Sequence, residues 1–142
     1  MRGWSAPRVA TPLYNLGGAY AEQREWSRAA APLDRALRLW RNAYGPEDAR
    51  VALAYSEWAD VLAAGGRHAE AVAYYERAIG LRVRAGERDH PQTASLEARL
   101  AQALARLGRL TEAERHAARA EARLSGLAYS RSRWAGRGTR TR

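Results

Sequence analysis

"RVALAYSEWADVLAAGGRHAEAVAYYERAIGLR", residues 50–82, holds two amphipathic segments on either side of a glycine pair. Val51, Ala54, Tyr55, Trp58, Ala59 and Leu62 recur at helical spacing, which predicts a helix over 50–64. Ala71, Val72, Tyr75, Ala78, Ile79 and Leu81 do the same for a second helix over 68–85. Gly65-Gly66 ends the first, because glycine adopts the left-handed conformation a helix C-terminus needs. Two apolar stripes joined by so short a link bury each other only as an antiparallel hairpin.

The same plan recurs at a period of 42. "RVATPLYNLGGAYAEQREWSRAAAPLDRALRLW" (8–40) precedes it and "QTASLEARLAQALARLGRLTEAERHAARAEARL" (92–124) follows. Ala29, Ala71 and Ala113 coincide, as do Ala36, Ala78 and Ala120, and Ala10, Ala52 and Ala94. Small side chains at fixed intervals let paired helices approach closely, and the large residues between them fill the gap to the next pair. In the third copy Pro91 opens a helix, Gly108 closes it, and Thr111-Glu112-Ala113-Glu114 reads as a capping box. Pro12 and Pro32 lie near the helix starts of the first copy, where a late start or a kink is expected.

These residues carry a resemblance to the tetratricopeptide repeat. Leu13, Leu16-Gly17, Tyr20, Ala29, Leu33 and Ala36 follow its signature, as do Tyr55, Trp58-Ala59, Leu62, Ala71, Tyr75 and Ala78. The third copy gives Leu100-Ala101, Leu104, Ala113 and Ala120, with Glu97 and Ala117 at the two bulky positions. The 42-residue period and the links "GPEDARVA" and "ERDHPQTA" resemble the kinesin-light-chain subtype, although the chain is too short to be a kinesin light chain. The resemblance implies an all-α, right-handed superhelical solenoid of three antiparallel hairpins. The expected divisions are residues 1–10 as the remnant of a preceding repeat or an N-terminal extension, repeats at 11–52, 53–94 and 95–129, and a disordered Arg-rich tail at 130–142. The Ala-rich third copy is expected to be the loosest unit.

Composition agrees with an all-helical reading and excludes several functions. Ala, Leu, Arg and Glu dominate, and Phe, Lys and Cys are absent. Without Cys there is no disulfide, thiol nucleophile or thiolate metal site, and the expected location is cytoplasmic. No apolar run approaches the roughly 20 residues of a membrane span. The net charge of +9 is concentrated: residues 1–10 carry +2, residues 11–122 only +1, and residues 123–142 carry +6.

"ERDHPQTA", residues 87–94, gathers two carboxylates and an imidazole as a catalytic or metal cluster would. It also stands at the corner between repeats, where Asp89 or His90 would cap a helix and Pro91 would take its first position. The corner is the expected reading. A metal would need more ligands in helical or paired spacing. No nucleophile–base pair, Gly-x-Ser-x-Gly or phosphate-binding loop is present, so no enzyme activity and no cofactor are expected.

The resemblance further implies that the first helices line a concave face where a protein or peptide binds. Outward positions there are Tyr14, Asn15, Gly18 and Glu22 in the first copy, and Ser56, Glu57 and Asp60 in the second. The third copy contributes Ala98, Arg99, Gln102 and Arg106. Asn15 matches a position where family members grip a peptide backbone. Glu57 and Arg99 are alternatively read as pairing across neighbouring helices. The family's clamp for acidic C-terminal peptides wants Lys, Asn, Asn, Lys and Arg where this chain has Tyr14, Gly18, Glu57, Ser95 and Arg99, so that ligand is not expected. The tail offers Arg131, Arg133, Trp134 and Arg137 for nucleic-acid contact, against the simpler reading of a solvated end. Self-association through the array ends, or a role as part of a longer array such as the sensor region of a signalling protein, is the structural alternative.

Overall fold

Three helical hairpins stack in chain order. The computed structural model describes residues 6–138, with side chains from Arg8 to Gly126. The hairpins pair α1 (Ala6–Glu22) with α2 (Trp26–Tyr44), α3 (Ala49–Ala64) with α4 (His68–Arg84), and α5 (Pro91–Arg106) with α6 (Leu110–Gly138). Between hairpins α2 packs on α3 and α4 on α5. The result is an all-α solenoid, with no strand among the described residues.

The small residues sit in the seams as their spacing predicts. Ala29, Ala36, Ala71 and Ala78 are fully buried, and Ala113 and Ala120 are nearly so. Gly17 is the tightest point of the first hairpin: a Cβ there would lie 2.4 Å from Leu33 Cγ and 3.3 Å from the Ala29 carbonyl oxygen. Large side chains then fill the hairpins. Tyr14 meets Trp40 at 5.5 Å between ring centroids and Tyr55 meets Tyr74 at 5.7 Å.

Each hairpin turn closes in the same way. Glu25, Arg67 and Arg109 donate their backbone N–H to Tyr20, Leu62 and Leu104, closing the end of the preceding helix. The residue before each donor has positive φ: Gly66 at 83°, Gly108 at 79° and, in the first copy, Arg24 at 61°. Holding a side chain in that region costs about 1–2 kcal/mol, so the first turn is the strained one of the three. At the corners between hairpins Asp48 accepts the Arg50 N–H at 2.9 Å, and His90 Nδ1 accepts the Gln92 N–H at 3.1 Å. His90 is therefore the N-cap of α5 and Pro91 its first residue. No metal-holding group of His, Asp and Glu occurs among the described residues.

The structure differs from the sequence reading at several points. α1 begins at Ala6 and Ala10 is fully buried, so Ala6–Ala10 belong to the first hairpin and not to a preceding one. The divisions read at 11, 53 and 95 thus fall inside the first helix of each hairpin. Pro12 and Pro32 delay neither helix; each is the seventh residue, and the buried Pro32 ring joins the seam. The capping box at 111–114 is replaced by a two-pronged Arg109–Glu112 ion pair at 2.8 and 2.6 Å. The same pair recurs 42 residues earlier as Arg67–Glu70, and 42 before that with reversed sign as Glu25–Arg28. α6 carries helical backbone to Gly138, and residues 139–142 of the expected tail lie outside the described residues. No proline interrupts it before that point, and Gly126 and Gly136 each cost a helix only about 1 kcal/mol.

Candidate peptide-binding groove

The first helices bring most of the expected groove residues together around one carboxylate. Asp60 on α3 accepts a hydrogen bond from the Tyr75 hydroxyl of α4 at 2.5 Å. Its other oxygen pairs with Arg99 of α5 at 2.8 Å, and Arg99 also donates to Ser95 at 3.1 Å. The pairing across hairpins is therefore Arg99–Asp60, not Arg99–Glu57. Tyr75 fixes the carboxylate that Arg99 reaches, because a buried phenol needs an acceptor.

That leaves Glu57 without a hydrogen-bond or ion-pair partner of its own among the described residues. It lies half-buried on α3, facing Gly18, where a Cβ would stand 3.5 Å from Glu57 Oε1. Burial, and then the Asp60 charge, push its carboxyl above the usual range, and the Glu22 charge adds to this against the opposing pull of Arg99. The Tyr14 phenol beside it is pushed up to about 12 by burial and then by the Glu57 and Asp60 charges. Glu22, Glu57 and Asp60 thus make this end of the candidate groove acidic, with Gly18 placing no side chain against Glu57.

The other end of the candidate groove is basic. A cavity of about 430 Å3 lies between the second and third hairpins, lined by Ala63, Ala64, His68, Tyr75, Arg99, Gln102 and Arg106 among others. Arg99 is committed to Asp60, whereas Arg106 is exposed with no ion pair among the described residues. Asn15, Glu22 and Ala98 are exposed on the first helices, as expected. Ser56 differs: its hydroxyl donates to the Leu53 carbonyl at 2.7 Å and is spent within its own helix. Arg131, Arg133, Trp134 and Arg137 fall in the last turns of α6, outside the residues whose side chains are described.

Two contributors escaped the sequence reading. Tyr75 and His68 were assigned to neither the groove nor any site, Tyr75 being read only as core. The signal for Tyr75 was its hydroxyl, which a buried position obliges to find a partner. Sequence separation hid a second polar group. Glu97 is 1% exposed, with His116 Nδ1 2.7 Å from one oxygen and Arg123 Nη2 3.0 Å from the other. Arg123 also donates to the Arg88 carbonyl at 2.7 Å. The acidic partner of His116 belongs to the seam of the third hairpin and not to the candidate groove.

A tetratricopeptide repeat model matches residues 50–125, just over half the chain, and a second such model matches 9–49. The chain belongs to the tetratricopeptide repeat family. Among solved structures this tetratricopeptide array is similar to BtubC (BKLC) from P. vanneervenii, with a TM-score of 0.80 at 24% identity over 84% of the chain. It spans about half of that protein, 48% of its length. It is similar to the tetratricopeptide domain of Arabidopsis FLU at a TM-score of 0.76 and 19% identity, covering 85% of this chain and 98% of that one. A Podosopora anserina putative kinesin light chain with nearly identical repeats gives 0.73 at 19% identity, covering 85% and 57% respectively. The fold is thus shared with kinesin-light-chain-like repeats. No curated protein matches the chain. Repeats of this family form protein-interaction modules in general, and no helix among the described residues is long and apolar enough to cross a membrane.

Proposed function

We propose that the chain binds an extended peptide segment of a partner protein along its concave face, without catalysis, metal or cofactor. The observation that carries this is Glu57: a half-buried carboxylate with no hydrogen-bond partner of its own, left accessible by a glycine at the facing position. A folded protein keeps such a group at a cost, and a cationic side chain of a ligand would remove that cost. Tyr14 supplies a flat apolar wall beside it. Arg106, in the cavity at the far end, suits an acidic residue further along the same peptide. The ligand is then a strand of mixed charge, basic toward the first hairpin and acidic toward the third. Arg99 is occupied by Asp60, which argues against a purely acidic C-terminal peptide. A cytoplasmic location fits the cysteine-free sequence.

Selection from a random linear peptide library against the full chain tests this. Enriched peptides should share a Lys or Arg followed by an acidic residue. Gly18→Arg, which places a competing cation over Glu57, should abolish their binding, and Glu57→Gln should weaken it about tenfold or more. Both variants should keep the circular dichroism of the parent. Failure to enrich any linear peptide, or binding indifferent to both substitutions, would overturn the assignment.

A further inference from the structure

A cavity of about 590 Å3 opens at the turn edge of the stack, between the turn of the first hairpin and the end of α3. The buried side chains of Val61 and Leu62 line it from α3. Half-buried Trp26 and Trp58 add two indoles, one from each hairpin. Three guanidinium groups share the same lining: Arg24 from the first turn, Arg28 from α2 and Arg67 from the second turn. Glu25 is the one carboxylate in the described lining. None of these residues lines the cavity at the basic end of the candidate groove.

Packing alone does not call for this set. The fold repeats every 42 residues, so the junction between the second and third hairpins shows what such a seam needs. There Gly66 stands for Arg24, His68 for Trp26, Glu70 for Arg28 and Leu100 for Trp58. Two cations and both indoles are gone, and Leu107 brings a side chain where Gly65 has none. Arg24 is the costliest member of the set. It stands at φ 61° in the left-handed slot that Gly66 and Gly108 fill without strain, and no ion pair among the described residues offsets this. Strain that the surroundings hold in place is characteristic of ligand sites. Arg28 and Arg67 pair with Glu25 and Glu70, but their side chains are 70% and 59% exposed. Such surface pairs contribute little, so an incoming anion can recruit both cations.

We infer that this cavity binds a nucleoside monophosphate. The base lies against Trp26 and Trp58, since planar rings bury well on indoles, and the phosphate meets Arg24, Arg28 and Arg67. A phosphate group offers three terminal oxygens to guanidinium forks, one more than a carboxylate, which suits a cluster of three arginines. The volume falls within the range of small-ligand sites. The site is separate from the proposed peptide groove, and neither ligand needs the other.

Isothermal titration of the full chain with adenosine and guanosine 5′-monophosphates tests this, at about 150 mM salt so that the charge of the Arg-rich tail is screened. At least one nucleotide should bind at a single site, about tenfold or more tighter than its nucleoside or inorganic phosphate alone. Arg24→Gly should weaken that binding about tenfold or more without lowering Tm, because it restores the glycine of the other two turns. Trp58→Leu, which copies Leu100, should weaken it about fivefold or more. No binding of either nucleotide, equal affinity for inorganic phosphate, or binding indifferent to Arg24→Gly overturns the inference. So does tighter binding of phosphotyrosine than of either nucleotide, which would assign the site to a modified partner protein.

Discussion

Gly17→Ala destabilises the protein and Gly18→Ala stabilises it, although the two positions are adjacent in one helix. In an exposed helix either change would gain about 1 kcal/mol, since alanine loses less conformational freedom than glycine. At Gly17 the new methyl group would meet Leu33 Cγ at 2.4 Å and Cδ2 at 2.7 Å. Leu33 is 1% exposed and has nowhere to swing, so α1 and α2 must separate along the seam. Overpacking of this kind costs about 1–3 kcal/mol and exceeds the propensity gain, and Gly17→Val should lie at the upper end or beyond. At Gly18 the nearest atom is the end of the Glu57 side chain at 3.5 Å, an ordinary contact. Denaturant midpoints of the two single variants measure the contrast. Equal shifts of the same sign would mean that the first seam does not close on Gly17.

Glu97→Ala should cost about 3–5 kcal/mol, the largest effect expected of any single truncation in the third hairpin. It removes the carboxylate that pairs with both Arg123 and His116, whose side chains are 14% and 16% exposed, and strands the guanidinium in the seam. The native arrangement is itself imperfect, since Arg123 Nε is buried with no hydrogen-bond partner. An apolar seam of similar volume should therefore do as well. The second hairpin shows what that seam looks like: Tyr55, Tyr74 and Leu81 stand where the third has Glu97, His116 and Arg123. The triple variant Glu97→Tyr, His116→Tyr and Arg123→Leu should return to within about 1–2 kcal/mol of the parent. Urea unfolding of the single and triple variants decides this. A mild single variant together with a crippled triple would show that the ionic seam contributes little and the packing nearly everything.

The fold was legible because packing repeats. Ala29, Ala71 and Ala113 mark the same place in three seams, and a 42-residue register read from them locates all three hairpins. The clustering of the candidate site was legible for the same reason: once a register assigns one helix of each pair to one face, Gly18, Glu57 and Asp60 fall together. What the sequence hid was pairing between side chains whose separation the register does not fix. Asp60 and Glu57 are one turn apart on one face, and only the Tyr75 hydroxyl, arriving from another helix, selects Asp60 for Arg99. Glu97 stood out as an acid at a bulky apolar position, yet its partners lie 19 and 26 residues away on α6. Helix ends were legible where glycine or proline enforces them. At Arg24 a side chain occupies the left-handed slot that glycine fills elsewhere, and no composition rule announces it. The length of α6 escaped because an Arg-rich composition speaks of solvation, while a helix anchored at its first turns needs only the lack of a stop to continue.

Backbone amide shifts of the isotopically labelled full chain, recorded as a selected peptide is titrated in, put the central assignment to its most direct test. Binding along the concave face predicts that the largest changes fall on Gly18, Glu57 and their neighbours in α1 and α3, extending to Gln102 and Arg106 of α5, with α2 and α6 nearly still. Changes centred on α2 and α6, with Gly18 and Glu57 unmoved, would contradict it.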